Sequence, residues 1–445
     1  GSSKESDEQY FSHFEPVIRF AVTSDAHISA DKTELHGLQR FKSVYDDTYN
    51  YAQTQTYKGF DHVFVVGDGA DDGSDDSLNM YAKAIKDQGV KYSVETHAVM
   101  GNHELTDFTR LDYDTLVNAF KQALGYQTID FHITIKGFHF IMFSPRDVHW
   151  QYDEDNLGPW LDNEIQKALA DDPSKTKPIF VFQHLGIKDT VYGSDIQYME
   201  RTKDGARVPA TVIPSILKKY PQVVDFSGHS HTIISDPRSV YQKEYTAITT
   251  GSLSYNVFDI KGASDLHVFA TDTYGHCFYS LIDFFFNDDA RQFLIFETDK
   301  TGASKMIIRD ADSHQQVGDP LYFRSFASPN NFRYTLNRIN SDPLAEFDNV
   351  QIADPVITAD SVTYEIPHAK YAQNYRCDLY TEDGLPIKTE YRLSDLWLVP
   401  QPPVFQIDFY NLTPNTNYYT QITPVNSWGK PGKNPLTLHF RTSAS

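Results

Sequence analysis

The first half of the chain alternates short apolar runs with amphipathic stretches. The runs are rich in β-branched and aromatic residues and end in turn-forming polar residues, which is typical of buried strands. These predicted strands cover residues 17–23, 63–66, 97–100, 179–182 and 223–226. Between them, apolar residues recur at helical spacing and predict helices over 38–51, 78–89, 111–124, 157–169 and 212–220. Gly89 and Gly125 are the predicted ends of two of these helices. Residues 131–135 and 138–143 flank Lys136-Gly137, which indicates a hairpin.

The pattern changes twice further along. Helical spacing disappears over 245–323, and short alternating runs there predict a closing, largely antiparallel sheet. From residue 350, short strands divided by turns predict a small β-sandwich. The predicted fold class is therefore α/β, a layered sandwich followed by a small all-β domain. The predicted divisions are a polar tether at 1–14 that begins with a cloning remnant, a catalytic domain at 15–325, a linker at 326–349 and the β-sandwich at 350–445.

Composition narrows the class of protein. The chain has 445 residues, is 40% hydrophobic and carries a net charge of −21, which favours a globular protein and excludes a binder of nucleic-acid duplexes. Cys277 and Cys377 form no disulfide framework; the two could pair, but we expect two free thiols. No apolar run reaches the roughly 20 residues of a membrane span, so no transmembrane segment is expected.

Five predicted strands end in residues that bind metals. In chain order these are Asp25 and His27, Asp68, Asn102 with His103 and Glu104, His184, and His229 with His231. A single Gly-Asp after a strand is usually an ordinary turn, and a single histidine is usually structural. Five such ends together favour convergence at one edge, where parallel strands place their ligands. Carboxylate and imidazole ligands suit Mn, Fe or Zn, and we expect Asp68 to bridge two ions.

The order D-x-H, G-D-x-x-D, G-N-H-[DE], H and G-H-x-H resembles the calcineurin-like metallophosphoesterase superfamily, whose fold is a layered αββα sandwich. The resemblance implies two metal ions, Mn or Fe first and Zn as an alternative. It assigns one ion to Asp25, His27, Asp68 and His231, and the other to Asp68, Asn102, His184 and His229. It also implies attack on phosphorus by a metal-bridging hydroxide.

The same resemblance implies that His103 protonates the leaving group and that Asp71 orients the His103 ring. Asp72 is adjacent and could replace Asp71 in that role. Glu104 is expected to be structural. Four histidines inside apolar runs are expected to be core or edge residues: His62, His97, His132 and His139.

The substrate is less well determined. The polar and aromatic segment 185–210 follows His184 and contains four candidate substrate contacts: Tyr192, Tyr198, Arg201 and Arg207. Two further candidates, Arg146 and His149, follow the predicted strand at 138–143. Solvated loop cations are the alternative interpretation. No additional cation cluster suits a dianionic monoester, so we expect a small phosphodiester of the nucleotide or glycerophosphodiester type, and the resemblance points to the bacterial phosphodiesterase branch. The alternatives are a phosphomonoesterase or 5′-nucleotidase, and an inactive, metal-stabilised wall-binding protein.

The C-terminal segment carries a second resemblance. Leu412, Pro414 and Tyr418, followed by Asn426 and Gly429, resemble the second half of a fibronectin type III domain. Tyr418 would be its tyrosine-corner residue, whereas the expected early tryptophan is missing. Such a domain implies cell-wall, glycan or partner contact, with a spacer or buttress as the alternative. It also implies export as a surface lipoprotein or wall-associated protein, with the signal sequence outside this chain.

Overall fold

The computed structural model describes residues 5–31, 35–194, 199–201, 207–259, 270–271, 277–278 and 284–445. For residues 199–201, 207–209, 259, 270–271, 277–278 and 284–286 it describes the backbone alone.

The described helices and strands follow the alternation seen in the sequence. The α-helices are α1 (Asp7–Ser12), α2 (His36–Gln53), α3 (Asp75–Tyr92), α4 (Tyr113–Leu124), α5 (Glu154–Ala170), α6 (Val212–Leu217) and α7 (Arg338–Ser341). The strands before residue 324 are β1 (Pro16–Thr23), β2 (His62–Val66), β3 (Thr96–Val99), β4 (Phe131–Ile135), β5 (Phe138–Met142), β6 (Ile179–Leu185), β7 (Met199–Arg201), β8 (Arg207–Pro209), β9 (Val223–Gly228), β10 (Val240–Gln242), β11 (Thr246–Thr249), β12 (Asn256–Asp259), β13 (Ala270–Thr271), β14 (Cys277–Phe278), β15 (Phe284–Asn287), β16 (Gln292–Asp299), β17 (Ser304–Asp310) and β18 (Leu321–Phe323).

Two six-stranded sheets form the centre of the first domain. Their strand orders are β18-β17-β16-β1-β2-β3 and β10-β11-β9-β6-β5-β4. Strands β1, β2 and β3 are parallel in the first sheet, and β5, β6, β9 and β11 are parallel in the second. In the register of the first sheet, Ala21 pairs with Val63 and Phe64 with His97. All these parallel strands therefore carry their carboxyl ends to one edge.

Aromatic side chains fill the space between the sheets. The ring of Phe20 lies 5.4 Å from that of Phe64, 5.3 Å from Phe140 and 5.0 Å from Phe180, within a fully buried cluster. Apolar faces of α2, α3 and α4 cover the outside of the first sheet, and α5 and α6 cover the second. This arrangement confirms the predicted αββα sandwich.

Several local expectations were wrong. Helix α3 continues through Gly89 and ends before Ser93, whose φ of 53° lies in the left-handed region. The expected closing sheet over 245–323 is instead divided, because β11 joins the second sheet in parallel while β16, β17 and β18 extend the first. The expected polar tether contains α1, which has a capping box between Ser6 and Gln9, and Tyr10 donates a hydrogen bond to Asp299.

The C-terminal domain is an all-β sandwich, as predicted. Its strands are β19 (Val356–Ile357), β20 (Val362–Pro367), β21 (Asn374–Thr381), β22 (Pro386–Leu393), β23 (Val404–Phe409), β24 (Asn417–Val425) and β25 (Leu436–Arg441). They form a three-stranded sheet, β19-β20-β23, and a four-stranded sheet, β22-β21-β24-β25. The hydroxyl of Tyr418 accepts a hydrogen bond from the Thr413 amide at 2.9 Å, which is the predicted tyrosine-corner contact.

Cys377 is a buried free thiol in this sandwich, whereas the side chain of Cys277 lies outside the described residues. None of the described helices is both long enough and apolar enough to cross a bilayer.

Candidate metal centre

The predicted ligands meet where the two facing sheets share an edge. Asp25 and His27 follow β1, Asp68 follows β2 and Asn102 follows β3 in the first sheet, while the remaining three histidines come from the end of β6 and from the loop after β9 in the second. Sequence reasoning placed all five strand ends side by side in one sheet. The structure instead brings them together across the interface between two sheets.

Most of the predicted ligands have an unusual backbone conformation. Five of the seven predicted ligands have positive φ angles: Asp25 at 55°, His27 at 48°, Asp68 at 52°, His229 at 73° and His231 at 57°. Such angles are uncommon for residues other than glycine and cost on the order of 1 kcal/mol or more each. They persist only where the surroundings hold them, so their concentration at one edge indicates a functional site.

The first group of ligands surrounds Asp25. Its Oδ1 lies 3.2 Å from His231 Nε2 and 3.6 Å from His27 Nε2. The same His27 nitrogen lies 3.6 Å from Asp68 Oδ2. Asp25, His27 and His231 place one ligand atom each within 4.8 Å of one another.

The second group shares Asp68. Its Oδ2 lies 3.0 Å from His184 Nε2, and Asn102 Oδ1 lies 3.1 Å from the same nitrogen and 3.0 Å from His229 Nδ1. Asp68, His184 and His229 also place ligand atoms within 4.8 Å of one another. Asp68 therefore contacts histidines of both groups, as expected of a bridging carboxylate.

Hydrogen bonds to the second ring nitrogen select which atom of each histidine faces the site. His184 Nδ1 donates to the Val66 carbonyl at 2.7 Å, and His231 Nδ1 donates to the Tyr255 carbonyl at 2.8 Å. Both rings consequently direct Nε2 at the carboxylates. Metal-binding histidines in proteins are oriented in this way by outer partners.

The buried carboxylates of the site favour a positive charge beside them. Burial alone would raise the pKa of Asp25, but His231 and His184 hold it well below its usual value. Burial would lower the pKa of His184, yet Asp68 and Asp25 raise it to about 10. His229 differs, because burial and the nearby His184 charge lower its pKa to about 3 and keep it in the neutral form that binds metals.

These residues fit a pair of metal ions. Asp25 Oδ1 is buried and accepts no hydrogen bond from any described residue, although two imidazole nitrogens face it. A buried carboxylate oxygen in that state needs a cation. Oxygen and imidazole ligands without thiolate suit first-row divalent or trivalent ions.

His103 and Asp71 lie beside the first group, with a division of roles that differs from the prediction. The main-chain carbonyl of Asp71 accepts a hydrogen bond from His103 Nδ1 at 2.6 Å. The Asp71 carboxylate lies 3.6 Å from that nitrogen but 2.9 Å from His27 Nδ1. The backbone of Asp71 therefore orients His103, whereas its side chain mainly orients His27.

Glu104 is structural, as expected, and it shapes the centre. Its Oε1 accepts hydrogen bonds from the amides of Asp68 at 2.9 Å and Gly101 at 2.7 Å, and its Oε2 accepts one from Ala70 at 2.9 Å. Burial and the Asp68 charge raise the pKa of Glu104 to about 8. This side chain ties the turn after β2 to the turn after β3.

Two of the other candidate substrate contacts are engaged with charged partners. Arg146 pairs with Asp130 through both terminal nitrogens, and the buried ring of Tyr192 stacks on the Arg238 guanidinium at 3.7 Å. His149 is exposed. Tyr198 and the side chains of Arg201 and Arg207 lie outside the described residues.

The four histidines expected to be structural lie in strands and bond to other side chains. His62 Nε2 lies 2.8 Å from His97 Nδ1, and His132 Nε2 lies 2.8 Å from His139 Nδ1. Glu164 and Asp171 bind the outer nitrogens of the second pair.

Sequence reasoning missed two aromatic residues. The Tyr255 ring lies 4.0 Å from that of His231, and the Trp150 ring lies 6.0 Å from that of His229. Tyr255 follows β11 by a few residues, so the rule that strand ends carry site residues could have found it. Trp150 adjoins His149, and its φ of 66° is unusual for so large a side chain.

The two domains resemble different groups of known proteins. A sequence model of the calcineurin-like phosphoesterase family matches residues 18–232. No curated protein matches the chain. Among solved structures, a purple acid phosphatase from yellow lupin (Lupinus luteus) seeds is 13% identical over 69% of this chain and 53% of its own, with a TM-score of 0.42.

Fibronectin type III domains also match. One from human collagen XX is 16% identical over 22% of this chain and 96% of its own, with a TM-score of 0.16. A two-domain segment of chicken tenascin is 13% identical over 36% of this chain and 71% of its own, with a TM-score of 0.17. The family match spans every strand end that brings a predicted ligand to the centre, so residues 18–232 are similar to the calcineurin-like phosphoesterases.

Proposed function

We propose that the chain hydrolyses small phosphodiesters at a two-metal centre. The observation that carries this proposal is the geometry around Asp68, which contacts histidines of both ligand groups while Asp25 Oδ1 faces two imidazole nitrogens. One ion would be held by Asp25, His27, Asp68 and His231, and the other by Asp68, Asn102, His184 and His229. Such a pair, when bound, polarises phosphoryl oxygens and provides a strong nucleophile from water at neutral pH.

The protein supplies the proton for the leaving group. His103 Nδ1 is held by the Asp71 carbonyl, and the side chain is 35% exposed beside the buried ligands. In the protonated ring, Nδ1–H stays on that carbonyl and Nε2–H can be donated to the departing oxygen. A general acid of this kind is worth on the order of 10²–10⁴ in rate.

The charges around the site favour a diester over a monoester. Among the described residues, Arg110 follows the ligand-bearing turn after β3 and pairs with Asp75, Arg238 follows the one after β9 and pairs with Asp236, and Arg146 follows β5 and pairs with Asp130. A diester carries one negative charge and a monoester carries about two. Two metal ions can balance the diester without an additional protein cation.

The experiment compares bis(p-nitrophenyl) phosphate with p-nitrophenyl phosphate at equal concentration, using the full chain loaded with Mn²⁺. We expect two ions per chain and faster release of nitrophenol from the diester. An Asp68→Asn variant should lose both the second ion and the activity. Faster monoester cleavage would contradict the diester assignment, and a fully metallated chain that cleaves neither compound would contradict the whole proposal.

A further inference from the structure

The C-terminal domain contacts the segment that holds His231. Trp397 lies in the connection between β22 and β23, is 3% exposed, and packs with Ile233 and Phe258 of the first domain. The ring centroids of Trp397 and Phe258 are 4.5 Å apart. Trp397 therefore forms a buried apolar contact between the two domains.

Both first-domain members of this cluster adjoin His231. Ile233 is two residues after it, and Phe258 follows Val257, whose amide donates to the His231 carbonyl at 3.0 Å. The carbonyl of Tyr255 accepts the His231 Nδ1–H at 2.8 Å. Strand β12 and the turn before it therefore hold both the backbone and the ring of His231, and Trp397 covers the next residue of that strand.

A polar contact joins the same parts. Gln292 of β16 is 2% exposed, and its Oε1 accepts hydrogen bonds from the Ile234 amide at 2.8 Å and the Ser235 amide at 3.1 Å. Its Nε2 donates to the Trp397 carbonyl at 3.2 Å. One buried amide side chain thus ties the backbone of Trp397 to the loop that contains His231.

We propose that Trp397 is a positioning residue through which the C-terminal domain completes the first metal subsite. His231 has a φ of 57°, and a strained conformation lasts only where its surroundings hold it. The indole Nε1 of Trp397 is buried without a hydrogen-bond partner among the described residues, so the ring contributes through packing. The proposal rests on the proposed function, because it assigns His231 to a metal.

The experiment titrates metal-free full-length Trp397→Ala with Mn²⁺ by calorimetry. We expect the subsite that includes His231 to bind about 10- to 100-fold more weakly, as when other outer partners of metal ligands are removed. The subsite of Asn102, His184 and His229 should keep its affinity. Trp397→Phe should recover most of the loss, because a ring remains against Phe258.

The matched control is Phe440→Ala. Phe440 is a buried aromatic residue of the C-terminal core, 6% exposed and packed against Tyr418. Its loss should lower the melting temperature and leave both Mn²⁺ affinities unchanged. A merely structural role for Trp397 would give that same result.

Trp397→Ala with both affinities within twofold of the wild type would overturn the proposal, as would an equal loss at both subsites. If Trp397→Ala does not fold, Gln292→Ala and Phe258→Leu test the same contact and should show the same loss at one subsite. Wild-type binding of both ions in these folded variants would also overturn it. A wild-type chain that binds no Mn²⁺ would instead contradict the proposed function, and this inference with it.

Discussion

At the scale of single residues, each proposed ligand atom remains available because other groups occupy the rest of its side chain. Asp25 Oδ2 accepts hydrogen bonds from the Ser24 hydroxyl at 2.7 Å and the His229 amide at 3.0 Å, which leaves Oδ1 facing the imidazoles. Asp68 Oδ1 accepts one from the His103 amide at 2.9 Å, which leaves Oδ2. These hydrogen bonds therefore fix which carboxylate oxygens face the histidines.

Gly101 provides a test of this organisation. A Cβ at this position would lie 2.1 Å from Asp68 Oδ1, so Gly101→Ala must displace the shared carboxylate. We expect Mn²⁺ affinity to fall by an order of magnitude or more, by the same reasoning that applies to outer partners of metal ligands. Equilibrium dialysis with metal analysis provides the measurement.

The control for Gly101 is Gly125→Ala. Gly125 has a φ of 76° and open space around its Cβ position, so this change costs about 1 kcal/mol of stability and leaves the ions bound. Equal metal affinity in the two variants would contradict the role given to Gly101.

His103→Gln tests the proposed acid. The backbone amide that holds Asp68 is kept, so both ions should remain bound. For an alkyl diester we expect kcat to fall by about 10²–10⁴, with a smaller fall for bis(p-nitrophenyl) phosphate, because nitrophenolate leaves without a proton. Steady-state kinetics on the two substrates measures the difference. His132→Gln, outside the site, is the control, and an equal loss on both substrates would argue against proton donation.

At the scale of elements, the carboxyl ends of the parallel strands carry the candidate ligands, whereas the amino ends of β2 and β3 carry a pair of neutral histidines. His62 begins β2, and its Nε2 lies 2.8 Å from His97 Nδ1 on the neighbouring β3. Burial, with a contribution from His97, lowers the pKa of His62 to about 3. These histidines are thus neutral structural groups remote from the metal ligands.

That lowered pKa predicts the direction of acid sensitivity. The unfolded chain takes up a proton on His62 near pH 6.5 and the folded chain does not, so stability present above pH 6.5 is lost as the pH falls towards 3. Between pH 7 and pH 5 this amounts to about 2 kcal/mol. Urea unfolding at pH 7 and pH 5 measures the free energy of unfolding of the metal-free proteins. Between these pH values, His62→Gln should lose about 2 kcal/mol less of it than the wild type. Parallel losses in the two proteins would contradict the assignment.

At the scale of the whole molecule, the proposed metal centre and the contact between the two domains lie on either side of the His231 segment. The chain carries a net charge of −21, and two buried carboxylates face each other's ligands at the centre. Bound cations would therefore be the main positive charge at that edge of the sandwich. Stability and metal content should be linked.

Removal of metal tests this link. Each of two ions at 100 times its dissociation constant stabilises the folded state by about 2.7 kcal/mol, or about 5 kcal/mol together. For a domain of this size, each ion corresponds to roughly 5–10 °C in melting temperature. Calorimetry with and without EDTA measures the shift, and Asp68→Asn should show a smaller one. An unchanged melting temperature after chelation would argue against ions held by buried ligands.

The sequence predicted much of the architecture because periodicity is a local signal. Strand-forming runs such as those around Phe20 and Phe64 differ from helical stripes in spacing, and acids, an amide and histidines follow the runs at fixed positions. The end of α3 was misplaced because Gly89 is tolerated within a helix, and Ser93 could take the left-handed conformation that ends it.

What the sequence determined by itself was the set of candidate ligands, their order and the layered fold, since each depends on residue type and spacing. Only the tertiary structure decided that the predicted ligands come from two sheets, that the Asp71 carboxylate turns towards His27, that Tyr255 bonds to the His231 ring, and that Trp397 packs on Ile233 and Phe258. These contacts join residues far apart in the chain, and a one-dimensional pattern carries no information about which distant side chains pack together.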